Sequence, residues 1–219
     1  MTEPAPSDID TITRHLERRL SHGERCIVGI TGPPGVGKST FTEKLAGRFT
    51  PAPPVVGMDA FHLAHKYLET IDLVRRKGAH HTFDAWGYLA TIRRIAKQGP
   101  HETVYVPRFD RSIEDSIAAA VPISPDDQLI LTEGNYLLLD LPPWNELRNL
   151  LSLTIYLDLD EEVRLERLIT RHVEFGKTVA DAERHVHTSD QINARLVAGS
   201  RQYADFVVEF EQAADAPRS

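Results

Sequence analysis

The run Gly32-Pro33-Pro34-Gly35-Val36-Gly37-Lys38-Ser39 follows the spacing G-x-x-x-x-G-K-[ST]. Residues of these types at this spacing can hold the phosphates of a nucleotide. The glycines let the backbone turn tightly, so that successive N–H groups converge on an anion. Lys38 can bring positive charge to the β- and γ-phosphates, and the Ser39 hydroxyl can ligate Mg²⁺. Thr40 follows in the first turn of an expected helix, whose N-terminus adds partial positive charge. The competing reading is a glycine turn with a purely structural role. A strand before the loop and a helix after it would separate the two.

Two acids stand at the ends of apolar runs. Asp59 follows Val55-Val56-Gly57-Met58. A carboxylate there could orient a hydroxyl acceptor and take its proton as a bond to phosphorus forms. It could also cap the segment Ala60-Phe61-His62. Glu133 ends the run Gln128 to Thr132 and is placed to hold Mg²⁺, directly or through water. Its alternative is a solvated loop acid. Arg164, Arg167 and Arg171 recur at helical spacing. They read either as a water-facing stripe or as a lid that closes over a transferring phosphoryl group. His62, His80 and His81 carry no metal-ligand spacing, although His62 is close enough to Asp59 to touch an acceptor.

The elements needed to position these residues are legible. Cys26 to Ile30 reads as a buried strand, and Thr40 to Phe49 as a helix with Phe41, Leu45 and Phe49 on one face. Ser7 to Leu20 has Ile9, Ile12, Leu16 and Leu20 on one stripe. Ala60 to Gly78 mixes helix signals with the basic cluster Arg75-Arg76-Lys77. Asp84 is the expected N-cap of a helix reaching about Gln98, with Leu89, Ile92 and Ile95 inward. Thr103 to Val106 alternates like a strand that Pro107 confines to an edge or an end. Further strands are expected at Gln128–Thr132, Leu153–Leu157 and Phe206–Val208. Further helices are expected at Trp144–Leu151, from Asp160 to Arg171, and at Thr178–Ala198. Strands alternating with helices predict an α/β P-loop NTPase fold, a parallel β-sheet sandwiched by helices. It would form one domain over 1–219, with a helical lid over about 164–180 and unstructured ends at 1–6 and 212–219.

Bulk properties narrow the function. A net charge of −7 argues against a nucleic-acid partner. No apolar run approaches membrane-span length, so no membrane partner is expected. The single cysteine, Cys26, permits no internal disulfide, and no signal peptide is evident, so a cytoplasmic setting is expected. The Asn-Lys-x-Asp of a GTPase and the Leu-Ser-Gly-Gly of a transport ATPase are both missing. Phosphoryl transfer from ATP to a small-molecule hydroxyl acceptor remains. A nucleotide-binding regulator without an acceptor is the alternative.

Several further segments resemble one kinase family. They are Met58-Asp59-Ala60-Phe61-His62, Arg75-Arg76-Lys77-Gly78, Thr82-Phe83-Asp84, Val104 to Arg111, Glu133 to Leu139, Arg164 to His172, Ser189-Asp190, Asn193-Ala194 and Tyr203-Ala204-Asp205. Their order and spacing are similar to the family of uridine kinase, phosphoribulokinase, pantothenate kinase and nicotinamide riboside kinase, including fructose transport system kinases. The resemblance implies ATP and Mg²⁺ as cofactors, Asp59 as catalytic base, Glu133 on the magnesium side, and Arg167 and Arg171 as lid arginines beside Lys38. It also implies that Asp84 contacts the acceptor. A homodimer is one assembly that the family uses. Arg108, Asp110 and Arg111 line the acceptor pocket or decorate a solvated hairpin. Two departures stand out. Ala60-Phe61-His62 replaces the Ser-Phe-Tyr of uridine kinases, and Arg75 to His81 replaces their shorter His-Pro element. The added positive charge would suit an acceptor bearing a carboxylate or phosphate. The expected acceptor is nucleoside-like, with a pantothenate-like acid or a sugar such as fructose as the alternatives.

Overall fold

The computed structural model describes residues 5–110, 112, 113 and 115–210. In chain order its first elements are strand β1 (Ala5–Pro6), helix α1 (Ile9–Ser21), β2 (Cys26–Thr31), α2 (Lys38–Ala46) and β3 (Val55–Gly57). A short 3₁₀ turn, Met58–Phe61, leads to α3 (His65–Thr70) and α4 (Ala85–Ala96). Next come β4 (Val104–Asp110), β5 (Asp115–Ile123), β6 (Leu129–Glu133) and β7 (Leu153–Leu159). The chain continues through α5 (Glu161–Glu174), α6 (Val179–His185), α7 (Gln191–Ala198) and β8 (Phe206–Phe210). No helix among the described residues is long and apolar enough to cross a membrane.

Six strands form one parallel sheet in the order β1-β8-β7-β2-β6-β3, so the strand feeding the glycine loop lies inside it. Its side chains alternate between two cores. Cys26, Val28 and Ile30 join Ile12, Leu16, Phe41 and Leu45 on one face. Ile27 and Ile130 join Tyr88, Leu89 and Ile92 on the other. Helices thus cover both faces, as a parallel sheet requires. Each fully buried Leu or Ile contributes roughly 1.5–3 kcal/mol, so these two layers hold the strand ends in place.

Several expectations change. Ala5 and Pro6, expected in an unstructured leader, pair with Phe206 and Val207 as a short sheet edge. Residues 1–4 and the expected unstructured tail at 212–219 lie outside the described residues. The strand that Pro107 was expected to confine to an edge or an end is an edge strand: it runs on to Asp110 and pairs antiparallel with β5 in a separate two-stranded sheet. Pro107 is accommodated where the register shifts between Val106 and Arg108, so its missing N–H interrupts the ladder locally. The helix expected over Thr178–Ala198 is broken by a π-helical turn at Val186–Asp190.

Candidate active site

The side chains of Asp8, Asp84, Asp160 and Thr178 cap α1, α4, α5 and α6. Helix α2 differs: its N-cap is Gly37 in a left-handed conformation (φ 96°), with no side-chain cap. Its first N–H groups are thereby aimed at the cleft, a ready anion site. Two loop glycines are sterically required. A Cβ at Gly32 would lie 2.6 Å from the Leu157 carbonyl oxygen, and one at Gly35 would lie 2.7 Å from Leu168 of α5. Val36 is fully buried and anchors the loop in the core. The Lys38 ammonium donates to the carbonyls of Gly32 and Pro33, both at 3.1 Å. Burial pushes its pKa down to about 8, against the pull of Glu133 and Asp59; Arg171 and Arg164 push the same way as burial.

Glu133 ends β6 between two neighbours, paired in register with Ile30 of β2 and Gly57 of β3. Gly134, just after it, packs so closely on Met58 that any side chain would collide with the Met58 Cβ. That close approach brings Asp59 and Glu133 to one place. The Ser39 hydroxyl donates to Glu133 Oε1 at 3.3 Å.

Two clefts meet there. One, of about 520 Å³, is lined by Pro34, Gly35, Gly37 to Thr40, Asn135, Arg171 and Phe175. The other, of about 300 Å³, has walls from Thr42, Val55, Gly57, Ala60, Pro107, Arg108, Phe109 and Val121. Ser39, Glu43, Asp59 and Glu133 line both. A hydroxyl and carboxylates are oxygen donors of the kind Mg²⁺ takes, and the uncapped α2 terminus suits polyphosphate. The residues present therefore fit a magnesium–nucleotide complex in the larger cleft. The smaller cleft has room for a compact second molecule.

Other expected residues lie elsewhere. The exposed Asp84 lines neither cleft; its Oδ1 accepts from the Gly87 N–H at 2.8 Å as the expected N-cap of α4. Asp110 also lines neither, because its carboxylate accepts from the Ser112 N–H and hydroxyl in the hairpin turn. That turn holds its pKa below the usual carboxylate range. The His62 Nδ1–H donates to the Asp59 carbonyl at 2.8 Å. Its ring packs against Phe83, with centroids 3.9 Å apart, and against Phe109, at 5.5 Å, and it lines neither cleft. Arg111 lies outside the described residues. Of the lid arginines, Arg171 lines the larger cleft and Arg167 is half-buried one turn before it. Arg164 is no water-facing residue: it is 3% exposed and donates to the Pro34 carbonyl at 3.2 Å.

Glu43, Thr42, Asn135, Phe175 and Val121 were not singled out in the sequence. Glu43 was findable, since it stands four residues after Ser39 and so shares its helix face. Lys77 lies over the Phe109 ring at 5.5 Å, which places part of the basic cluster near the smaller cleft.

The chain is similar to several known proteins. The family model described as "Phosphoribulokinase / Uridine kinase family" matches residues 27–216. A Schizosaccharomyces pombe protein named "Putative uridine kinase C227.14" is 30% identical over 94% of this chain and 92% of its own length. The uridine kinase of Clostridium novyi is 26% identical over 83% of this chain and 86% of its own. A crystal structure described as a "putative fructose transport system kinase" from Silicibacter sp. TM1040 superposes with a TM-score of 0.82 at 32% identity. It covers 92% of this chain and 98% of that one.

Proposed function

Because this chain belongs to the phosphoribulokinase and uridine kinase family and is an ATP-dependent phosphotransferase, we propose that it phosphorylates the hydroxyl of a small hydroxy acid of pantothenate-like character. The observation that carries the reading is the junction of two clefts at Ser39, Glu43, Asp59 and Glu133. The loop amides and Lys38 hold the triphosphate, whose charge further favours the protonated lysine. Ser39 and Glu133 hold Mg²⁺. Bound there, the ion would offset charge that develops on the transferring phosphoryl group. Asp59 orients the acceptor hydroxyl and takes its proton as the new O–P bond forms and the bond to the ADP oxygen breaks. Arg171, which lines the larger cleft, and Arg167, one helical turn before it, spread the charge of the phosphoryl group. Most of the acceleration is positional and electrostatic.

The acid reading rests on Arg108, the cation in the smaller cleft, with Lys77 close behind Phe109. A nucleoside acceptor is the second reading, favoured by the relatives named uridine kinase. Asp84, which the resemblance implies would contact such an acceptor, caps α4 through Oδ1 and is not among the residues that line the smaller cleft. A sugar is the third acceptor left open by the sequence, and the similar structure described as a putative fructose transport system kinase favours it. A non-catalytic regulator would not need Asp59 at the junction.

The test incubates the protein with ATP, Mg²⁺ and separate pools of hydroxy acids, nucleosides and sugars, and reads ADP release. Acceptor-dependent release with the acid pool is expected. Release with nucleosides alone would move the assignment to the second reading. Slow hydrolysis indifferent to every pool would overturn acceptor phosphorylation altogether.

A further inference from the structure

The last turn of α5 carries a contact network that the catalytic reading does not use. Arg164, Leu168, Arg171 and Phe175 recur at helical spacing and form one stripe toward the glycine loop. The first half of that stripe is fixed. Arg164 binds Pro34, and Leu168 packs where any side chain at Gly35 would intrude. Arg171 and Phe175, at the free end, line the larger cleft. Helix ends fray unless something holds them.

His172 supplies the hold. Beyond α5 the chain reverses at Gly176 (φ 91°), with the Gly176 N–H donating to Val173 at 2.9 Å and the Lys177 N–H donating to His172 at 3.1 Å. This paired closure returns Lys177 along the helix, and its ammonium donates to His172 Nδ1 at 3.1 Å. An ammonium has no lone pair, so Nδ1 must accept and the ring proton must sit on Nε2. Nε2–H then donates to Asp190 Oδ2 at 2.8 Å. Asp190 ends the π-helical turn, and its neighbour Gln191 accepts from Arg164 at 2.5 Å. Two consecutive residues thus grip α5 at points eight residues apart, with Arg171 beside the second.

We propose that His172 is a positioning residue that holds Arg171 against the terminal phosphate of the nucleotide. The proposal rests on the reading of Arg171 as a phosphate contact. His172, His185 and Asp190 also have donor atoms within 4.8 Å of one another, the donor types of a metal site. However, Lys177 and Arg171 bring positive charge to His185 against the one carboxylate of this group, Asp190, and Lys177 already occupies His172 Nδ1. A hydrogen-bonded latch uses every group where it stands.

The test compares Mg²⁺·ATP with Mg²⁺·ADP affinity by calorimetry, which needs no acceptor. Arg171→Ala should reduce the preference for ATP about tenfold, the scale of one charge-assisted contact to phosphate. His172→Ala should reduce it about three- to tenfold while leaving ADP affinity within about twofold, and adding it to Arg171→Ala should change nothing further. His172→Gln, whose amide can still donate to Asp190, should keep most of the preference. The proposal is overturned if His172→Ala preserves the preference that Arg171→Ala loses. It is equally overturned if the two losses add, or if ADP and ATP weaken together. An unchanged preference in Arg171→Ala would remove the phosphate contact and the latch with it. Acceptor-dependent ADP release would still judge the kinase reading independently.

Discussion

Ser39 and Glu133, 94 residues apart in sequence, share a hydrogen bond of 3.3 Å from the serine hydroxyl to the glutamate Oε1. The first turn of α2 and the last residue of β6 therefore meet at one point. Both are oxygen donors that a hard cation can use in place of the bond they now share. Glu133→Gln keeps the shape and removes the charge. The Mg²⁺ concentration for half-maximal ADP release should rise by about 10- to 100-fold. An unaltered Mg²⁺ requirement would remove Glu133 from the metal.

Asp59 tests the other side of the junction. Asp59→Asn should lower kcat by about 10²–10⁴-fold, the range for loss of a positioned base. ATP affinity should stay close to wild type, because the loop amides and Lys38 are untouched. Wild-type turnover in this variant would exclude Asp59 as the base.

The contact of Gly134 with Met58 is what joins the two acids, and it should be sensitive to one methyl group. Gly134→Ala should destabilise the fold by about 1–3 kcal/mol through overpacking, visible as a lower Tm. Gly99, with nothing within 4 Å of a Cβ position, is the control. Gly99→Ala should remain within about 1 kcal/mol of wild type. Equal effects at the two sites would show that close packing is not the cause.

Much of this arrangement was readable in the sequence because the signals are local. The glycine loop, the apolar runs of β2, β6 and β7, and the acids at strand ends follow from residue type and spacing. What was missed depends on distant contacts. Asp115–Ile123 is rich in alanine and lacks clear alternation, so only its partner β4 reveals it as a strand. Arg164 reads as a surface charge until Pro34 and Gln191 appear beside it. Asp84 had two sequence readings that one residue could combine, and the bond from the Gly87 N–H bears out the capping one.

Two histidines should make the fold acid-sensitive. Burial is the first cause lowering the pKa of both His80 and His185 from 6.5. At His80, His81 and Arg76 act in the same direction. At His185, Asp190 opposes it while Lys177, His172 and Arg171 reinforce it. Between each depressed value and 6.5 the unfolded chain binds more protons, so stability is lost as pH falls through that window. Tm should therefore decline on acidification below about 6.5, and His185→Gln should flatten part of the decline. A Tm that holds or rises over that window would refute the assignment.

Arg108 is the cation that lines the smaller cleft, and on the proposed reading it meets the acid group of the acceptor. It lies on β4, is exposed, and shares the wall with Pro107, Phe109 and Val121. An acceptor carrying a carboxylate would meet this cation at the end away from Asp59. Partial exposure weakens the contact relative to a buried one. Arg108→Ala should therefore raise the KM for an acidic acceptor by roughly tenfold, with kcat changed little and the KM for ATP unchanged. Salt should raise the wild-type KM for that acceptor and have less effect in the variant. A neutral acceptor predicts the opposite pattern, with KM insensitive both to the substitution and to ionic strength. Steady-state kinetics at two salt concentrations distinguishes these cases, because only a charge contact couples the residue to the ions around it.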